Sequence, residues 1–284
     1  MADAASLIVT RATPGGTVEA ASYQSLLEQM LGELQRALAA DPARVLALFR
    51  AGLGGESLSR FAVPLREDFS FDADAFIERM KVEKPALVFL AYPNNPTGVL
   101  YEEKDIERVI RACPGLVVVD EAYHVFAGRT FMSRLAEFSN LLVLRTVSKL
   151  GLAGIRLGYL AGPPAWIGEL DKVRQVYNVN VLTQAAASFV LERLEVLEAQ
   201  AAQIRKDREA LKTELEKLKG VTVFPSAANF FLVRVADAPA TFEALRRQGV
   251  LVRNLHPGVK DCLRVTVGTP DENRILLTAL REAL

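Results

Sequence analysis

The sequence predicts an α/β protein: a mostly parallel sheet with helices on both faces, joined to a smaller α+β unit at the C-terminal end. Three observations predict it. From residue 85 onward, apolar runs of strand length alternate with longer amphipathic stretches. Parallel strands need long crossovers, and those stretches supply them. After residue 220 the pattern changes to short strands with few helices between them. The length of 284 residues accommodates one large domain or two modest ones.

In chain order, residues 24–40 and 43–51 carry helical patterning. Asp41-Pro42 suits an N-cap followed by proline at the first helical position, and Gly52, Gly54 and Gly55 then break the chain. LVFLAY (87–92) reads as a buried strand, and 102–112 as a helix. LVVVDEAY (116–123) reads as a strand ending in two carboxylates, LLVLRTVSK (141–149) as a strand entering a loop, and RLGYLAG (156–162) as a strand closed by Gly162-Pro163-Pro164. Residues 181–219 form the longest helical stretch, as two helices or one bent helix, with Ile204, Leu211, Leu215 and Leu218 at helical spacing and Gly220 as the stop. Strands follow at VTVF (221–224), NFFLVRV (229–235), VLVRN (250–254) and LRVTVG (263–268), with helices near 240–248 and from about 271. This divides the chain into an atypical segment at 1–60, a large domain at 61–180, and linking helices with a small domain at 181–284. The join falls within 165–220.

Composition excludes several classes. Lys+Arg and Asp+Glu are equal at 34 each, so no excess charge draws the protein to nucleic acid or to an anionic membrane. Two cysteines, Cys113 and Cys262, do not make a disulfide scaffold and read as buried small hydrophobes. Two histidines, His124 and His256, argue against a multi-histidine metal site, and no metal is expected. The start, MADAASLIVTRATPGG, shows no basic leader before an apolar run, and the apolar stretches are far below the ~20 residues of a membrane helix. A cytoplasmic enzyme is the expectation.

Four short motifs follow or border the strands in order: YPNNPTG (92–98), DEAY (120–123), TVSK (146–149) and GIRLGY (154–159). In a parallel sheet the C-terminal strand ends share one edge, where α/β proteins bind ligands. An amide, a carboxylate, a phenol, hydroxyls, an amine and a guanidinium would meet there. That set suits pyridoxal phosphate. A lysine amine forms a Schiff base with its aldehyde. A carboxylate keeps the ring nitrogen protonated, a phenol and an amide bond the ring oxygen, and hydroxyls with an arginine hold the phosphate.

With these motifs the sequence resembles the fold-type I aminotransferases, specifically the histidinol-phosphate aminotransferase family. The resemblance runs from about Val63 to Leu284 and includes YNVN (177–180), ANFFLVR (228–234) and CLRVTVGTPDEN (262–273). It implies roles by position. Lys149 is the Schiff-base lysine and proton shuttle, Asp120 pairs with the pyridinium nitrogen, and Tyr123 and Asn95 contact the ring oxygen. Thr146, Ser148 and Arg156 bind the cofactor phosphate, Arg264 binds the anionic end of the substrate, and Asn229 lies near the substrate. It further implies transfer of an amino group between L-histidinol phosphate and 2-oxoglutarate in histidine biosynthesis, by a homodimer. A related aromatic aminotransferase or an amino-acid-phosphate decarboxylase would share the same motifs. The first 60 residues do not show the family's Gly-rich phosphate loop; Pro14-Gly15-Gly16-Thr17-Val18 with Tyr23 is only a faint likeness. An inactive relative with a defective phosphate cup is the further alternative.

Each residue also has a plain structural reading. Asp120 suits a cap after a strand, Lys149 a solvated surface, and Asn95 a turn shaped by Pro93, Pro96 and Gly98. Arg264 suits a salt bridge, since a mid-strand charge is costly unless it is paired or bound to an anion. Arg253 suits either a substrate phosphate or the surface. It is the combination in one order that favours chemistry.

Overall fold

The computed structural model describes residues 7–13, 57–174 and 178–284. The expected helices at 24–40 and 43–51, the Pro14–Val18 stretch, Tyr23 and Tyr177 lie outside the described residues. Strands β1 (Leu7–Thr13) and β2 (Ser57–Ala62) come first, then helix α1 (Ala73–Glu83), β3 (Leu87–Ala91), α2 (Glu103–Ala112) and β4 (Leu116–Asp120). A four-residue helix α3 (His124–Ala127) leads to β5 (Leu141–Thr146), β6 (Gly158–Ala161) and α4 (Pro164–Val173). Helices α5 (Val181–Leu191) and α6 (Leu194–Leu215) precede β7 (Thr222–Val223), β8 (Phe230–Arg234), α7 (Ala238–Arg247), β9 (Arg253–Asn254), β10 (Cys262–Thr266) and α8 (Pro270–Ala283).

The first sheet has the order β2-β1-β3-β4-β5-β6. Strands β3, β4 and β5 are parallel neighbours; β1 is antiparallel to β3, and β2 to β1. Strand β2 therefore shares the direction of β3–β5, and four of the six strands run one way. Strand β6 pairs antiparallel with β5, with Thr146 opposite Gly158. The sequence pattern places a strand here without fixing its direction. The link from Thr146 to Gly158 carries only two short 3-10 turns, too little for a helical crossover, so the chain returns antiparallel.

The central strands are apolar throughout because both faces are covered. Val88, Leu90, Val117, Val119, Leu141 and Val143 pack on Phe76 and Met80 of α1 and on Ile106, Val109 and Ile110 of α2. The alternate residues Leu87, Leu116, Val118 and Leu142 face Trp166, Ile167 and Leu170 of α4. Each fully buried side chain of this size contributes about 1.5–3 kcal/mol. Helix α1, which the sequence reading did not predict, starts where the Asp72 side chain accepts from Ala75 N at 3.0 Å and stops at the left-handed Lys84. Helix α4, also unpredicted, starts with Pro164 in its first turn.

The second sheet, β7-β8-β10-β9, packs Phe231, Val233, Leu263 and Val265 on Leu211 and Leu215 of α6 and on Leu276, Leu277 and Leu280 of α8. Its other face meets Phe69 and Phe224. The Thr269 and Glu272 capping box fixes the start of α8. The long helical stretch ends at Leu215, before the expected stop; Gly220, at φ 79°, lies in the turn that follows. A separate apolar cluster of Tyr123, Phe126, Ala201, Ala228 and Phe230 joins the two sheets and lies beside the edge described next.

Candidate active site

The C-terminal ends of β3, β4 and β5 form one edge, with Ala91 opposite Asp120 and Asp120 opposite Leu144. After β3 the chain turns tightly. The buried Asn94 side chain accepts from Thr97 N at 3.3 Å and Thr97 Oγ1 at 2.6 Å, and the Gly98 N–H returns to the Asn94 carbonyl at 2.8 Å. Asn95 is thereby presented, exposed, at the tip of the loop.

The DEAY segment departs from the sequence expectation, because the strand ends at Asp120 rather than Tyr123. Asp120 Oδ1 accepts from Ala122 N at 2.9 Å, so the side chain itself closes the turn. The turn buries Tyr123 and leads into α3. Burial pushes the Asp120 carboxyl above its ordinary value, against the pull of the Ala122 N–H and the Lys149 charge. Lys149 sits in the 3-10 turn Ser148–Leu150, with Nζ 5.2 Å from the centroid of the Tyr123 ring. Acid, phenol and amine thus meet at one edge. His124 is half-buried, with Nδ1 3.0 Å from the Glu121 carbonyl, and burial and the Arg145 charge lower its pKa.

Beyond β5 the Thr146 and Ser148 hydroxyls lie 2.9 Å apart, and the Ser148 N–H donates to Thr146 Oγ1 at 3.1 Å. Arg156 is next to Leu157, whose carbonyl accepts from Thr146 Oγ1 at 3.0 Å. The Arg156 guanidinium is not directed at the hydroxyl pair; it is exposed and donates to the Ala153 carbonyl at 3.0 Å. Its backbone is left-handed, with φ 56°. Such strain in a non-glycine residue is concentrated at functional sites.

From the second sheet, Arg264 reaches the same edge. Its Nη1 donates to Asn95 Oδ1 at 2.7 Å, its guanidinium carbon lies 4.9 Å from the Phe230 ring centroid, and its Nε is buried without a partner. Arg253 stands directly opposite Arg264 across β9 and β10. Burial, reinforced by the Arg253 charge, lowers the Arg264 pKa, with the nearby Tyr123 acting the other way. Two facing arginines repel each other unless an anion lies between them. The half-buried Asn229 is fixed by its carbonyl, which accepts from Val267 N at 2.9 Å. Asn178 is turned toward Arg174, 2.9 Å away.

Sequence reading gave no role to Phe230, although it lies within a quoted motif. Phe230 meets Tyr123 edge-on at 5.2 Å as well as carrying Arg264. It also gave no role to Glu121 or Arg145. Among the described residues no group of His, Cys, Asp and Glu could hold a metal.

The sequence matches the family model "Aminotransferase class I and II" over residues 48–280, a span that opens upstream of Val63. It is 53% identical over 267 residues to a histidinol-phosphate aminotransferase 2 of Burkholderia pseudomallei, covering 90% of this chain and 75% of that protein. Among solved structures it is similar to a histidinol-phosphate aminotransferase from Sinorhizobium meliloti in complex with pyridoxal-5'-phosphate. That match has 28% identity and a TM-score of 0.70, and covers 78% of this chain and 63% of the other. It is also similar to a decarboxylase from Sulfurospirillum multivorans, with 27% identity and a TM-score of 0.70, covering 77% of this chain and 67% of the other. The ordered motifs, the two-sheet fold and these likenesses agree: the chain belongs to the class I and II aminotransferases, in the histidinol-phosphate aminotransferase family.

Proposed function

We propose that the protein is a pyridoxal-phosphate-dependent histidinol-phosphate aminotransferase, exchanging an amino group between L-histidinol phosphate and 2-oxoglutarate to give imidazole acetol phosphate and L-glutamate. One observation carries the cofactor reading: a half-buried carboxylate, Asp120, and an amine, Lys149, share an edge with the Tyr123 ring. Among the described residues Asp120 forms no salt bridge, so a cationic ring nitrogen is a fitting partner for it. The substrate reading rests on the relatives and on the facing Arg253 and Arg264, which suit a dianionic phosphate ester.

When bound, the cofactor supplies an aldehyde and an electron-withdrawing ring. In this reading Asp120 holds a proton on the ring nitrogen. Tyr123 and Asn95 bond the ring oxygen, while Thr146, Ser148 and Arg156 take the phosphate. To do so, Arg156 would have to release its bond to the Ala153 carbonyl. Lys149 Nζ would be the amine that holds the cofactor and, when free, would move the proton at the substrate α-carbon. Arg264 orients the substrate anion and Asn229 lies beside it.

We further assign 61–180 to the cofactor domain and 181–284 to the linking helices and small domain; the separate cores of the two sheets support that join. The expected boundary at 60 is not supported, because β1 and β2 extend the cofactor domain's sheet. A cytoplasmic homodimer is the assembly this reading requires. Val181, Leu182 and Phe189 of α5 present an exposed apolar face that suits a subunit contact, and among the described residues no helix is long and apolar enough to cross a membrane.

To test the reading, the purified protein is mixed with pyridoxal phosphate and assayed with L-histidinol phosphate and 2-oxoglutarate. A visible absorbance band that disappears in Lys149→Ala, together with glutamate formation, is expected. The likeness to a decarboxylase gives a second reading, an amino-acid-phosphate decarboxylase. Release of carbon dioxide without glutamate would establish that one instead.

A further inference from the structure

Directly beneath the site lies an ion pair that the proposed chemistry does not use. Glu121 is fully buried at 0% exposure. Its carboxylate accepts from Phe131 N at 2.6 Å, from Arg145 Nε at 2.9 Å and from Thr130 Oγ1, which lies 2.8 and 3.0 Å from its two oxygens. Arg145 Nη2 adds a contact at 2.8 Å and also reaches Thr130 Oγ1 at 2.7 Å. The Glu121 N–H donates to the Leu144 carbonyl at 2.8 Å, so side chain and backbone both grip β5.

Burying such a pair is a poor route to stability, because desolvation cancels most of the attraction. Its position in the chain is more informative. Glu121 immediately follows Asp120, and Arg145 immediately precedes Thr146. Neighbouring strand residues point to opposite faces. The bridge therefore joins β4 to β5 at the place where one strand delivers an acid and the other a hydroxyl. Under the cofactor reading above, those groups hold opposite ends of one rigid planar molecule. A rigid ligand tolerates little error in that span, and misplacement by about 1 Å is costly at a reacting centre.

We infer that Glu121 and Arg145 are positioning residues, whose buried bridge fixes the span between the Asp120 carboxylate and the Thr146–Ser148 hydroxyl pair for a pyridoxal-phosphate ligand. The bridge touches neither end of the ligand; it acts through the backbones of the two strand ends. A lysine at 145 would keep the charge but could not fork to Glu121 and Thr130 together. An apolar pair, Glu121→Leu with Arg145→Met, removes both charges and leaves none stranded.

The test uses full-length protein, stripped of cofactor and titrated with pyridoxal phosphate. It reads the dissociation constant, the pH at which the visible band converts, and the thermal midpoint before cofactor is added. Arg145→Lys, which leaves Glu121 paired with a charge, is expected to keep a midpoint close to that of the parent; the double variant, which leaves the Phe131 N–H and the Thr130 hydroxyl without their acceptor, is expected to fold with a lower one. They should nevertheless bind pyridoxal phosphate about tenfold more weakly, with a displaced band titration. Parent-like affinity and titration in a folded variant would overturn the inference and leave the bridge purely structural. If the double variant does not fold, Arg145→Lys decides by the same criterion. A parent protein that gives no band at all would instead remove the cofactor reading, and this inference with it.

Discussion

Arg264 Nη1 donates to Asn95 Oδ1 at 2.7 Å, joining the small sheet to the tip of the loop after β3. The bond does two things. It fixes the Asn95 amide so that Nδ2 remains free to donate to a ring oxygen, and it holds Arg264 at the site until a substrate anion competes for it. Asn95→Asp would convert the contact into an ion pair at an exposed loop tip, stronger by up to about 1 kcal/mol. The KM for an anionic amino donor is then expected to rise by up to about fivefold. The same variant loses a donor to the ring oxygen, so the visible band should convert at higher pH. Steady-state kinetics and a spectrophotometric titration check both; an unchanged KM would remove Arg264 from substrate binding.

Phe230 supports two site residues at once, lying under the Arg264 guanidinium and against the edge of Tyr123. Leucine at this position keeps most of the apolar volume but loses the ring. A cation–π contact of this kind is worth about 0.5–2 kcal/mol. Phe230→Leu should therefore raise KM for the anionic donor by roughly 3- to 30-fold with a smaller change in kcat. Equal losses in kcat and kcat/KM would place the role of the ring in the transition state instead.

How much of this was legible in the sequence depended on the kind of information each feature needs. Strands β3, β4 and β5 were readable because burial on both faces leaves continuous apolar runs such as Leu116–Val119. Asp120, Tyr123, Thr146, Ser148 and Lys149 were readable as a group because each borders such a run. The direction of β6 was not, since it depends on how few residues separate Thr146 from Gly158. Glu121 looks like any acid beside Asp120; only its partner, 24 positions away on the next strand, makes it a buried anchor. A cap at Asp120 was one of the readings open from sequence, and only the structure selects it, because a carboxylate that caps its own turn has the same sequence as one that ends an extended strand. Phe230 was read only as part of a strand, and its contacts with Tyr123 and Arg264 exist only once the two sheets are together.

Gly98 offers a test of how the first loop meets the second sheet. It has φ +79°, and a Cβ there would come within 2.3 Å of Ser226 Oγ. Its carbonyl also accepts from Ala227 N at 2.8 Å. Gly128 has a similar φ of +67° but open space around it. Alanine at either position costs about 1–2 kcal/mol from the left-handed backbone alone. That lowers the thermal midpoint by roughly 2–8 °C. Gly98→Ala should lose more than Gly128→Ala and should also impair turnover, because Ser226 and Ala227 precede Asn229. Calorimetry with parallel assays checks this; equal effects of the two variants would show that the loop yields without disturbing the site.

Asp120 sets stability against function. Its carboxyl titrates above the ordinary 3.8, chiefly because it is buried. The folded protein therefore binds this proton more tightly than the unfolded chain does, and unfolding releases it. The stabilising contribution is complete below about 3.8 and is lost as pH rises through the folded value, so at neutral pH the ionised group is a net cost to the cofactor-free protein. Asp120→Asn should thus be at least as heat-stable as the parent at pH 7 without cofactor. That advantage should shrink as pH falls toward 3.8. With cofactor the order reverses. A protonated ring nitrogen beside the carboxylate makes a charge-assisted bond worth about 1.5–3 kcal/mol. Asparagine cannot reproduce it, so pyridoxal phosphate should bind about ten- to hundredfold more weakly and turnover should collapse. Thermal midpoints across pH 3–8, measured with and without cofactor, check the crossover. A variant less stable than the parent at pH 7 without cofactor would show that the Lys149 and Ala122 contacts outweigh burial.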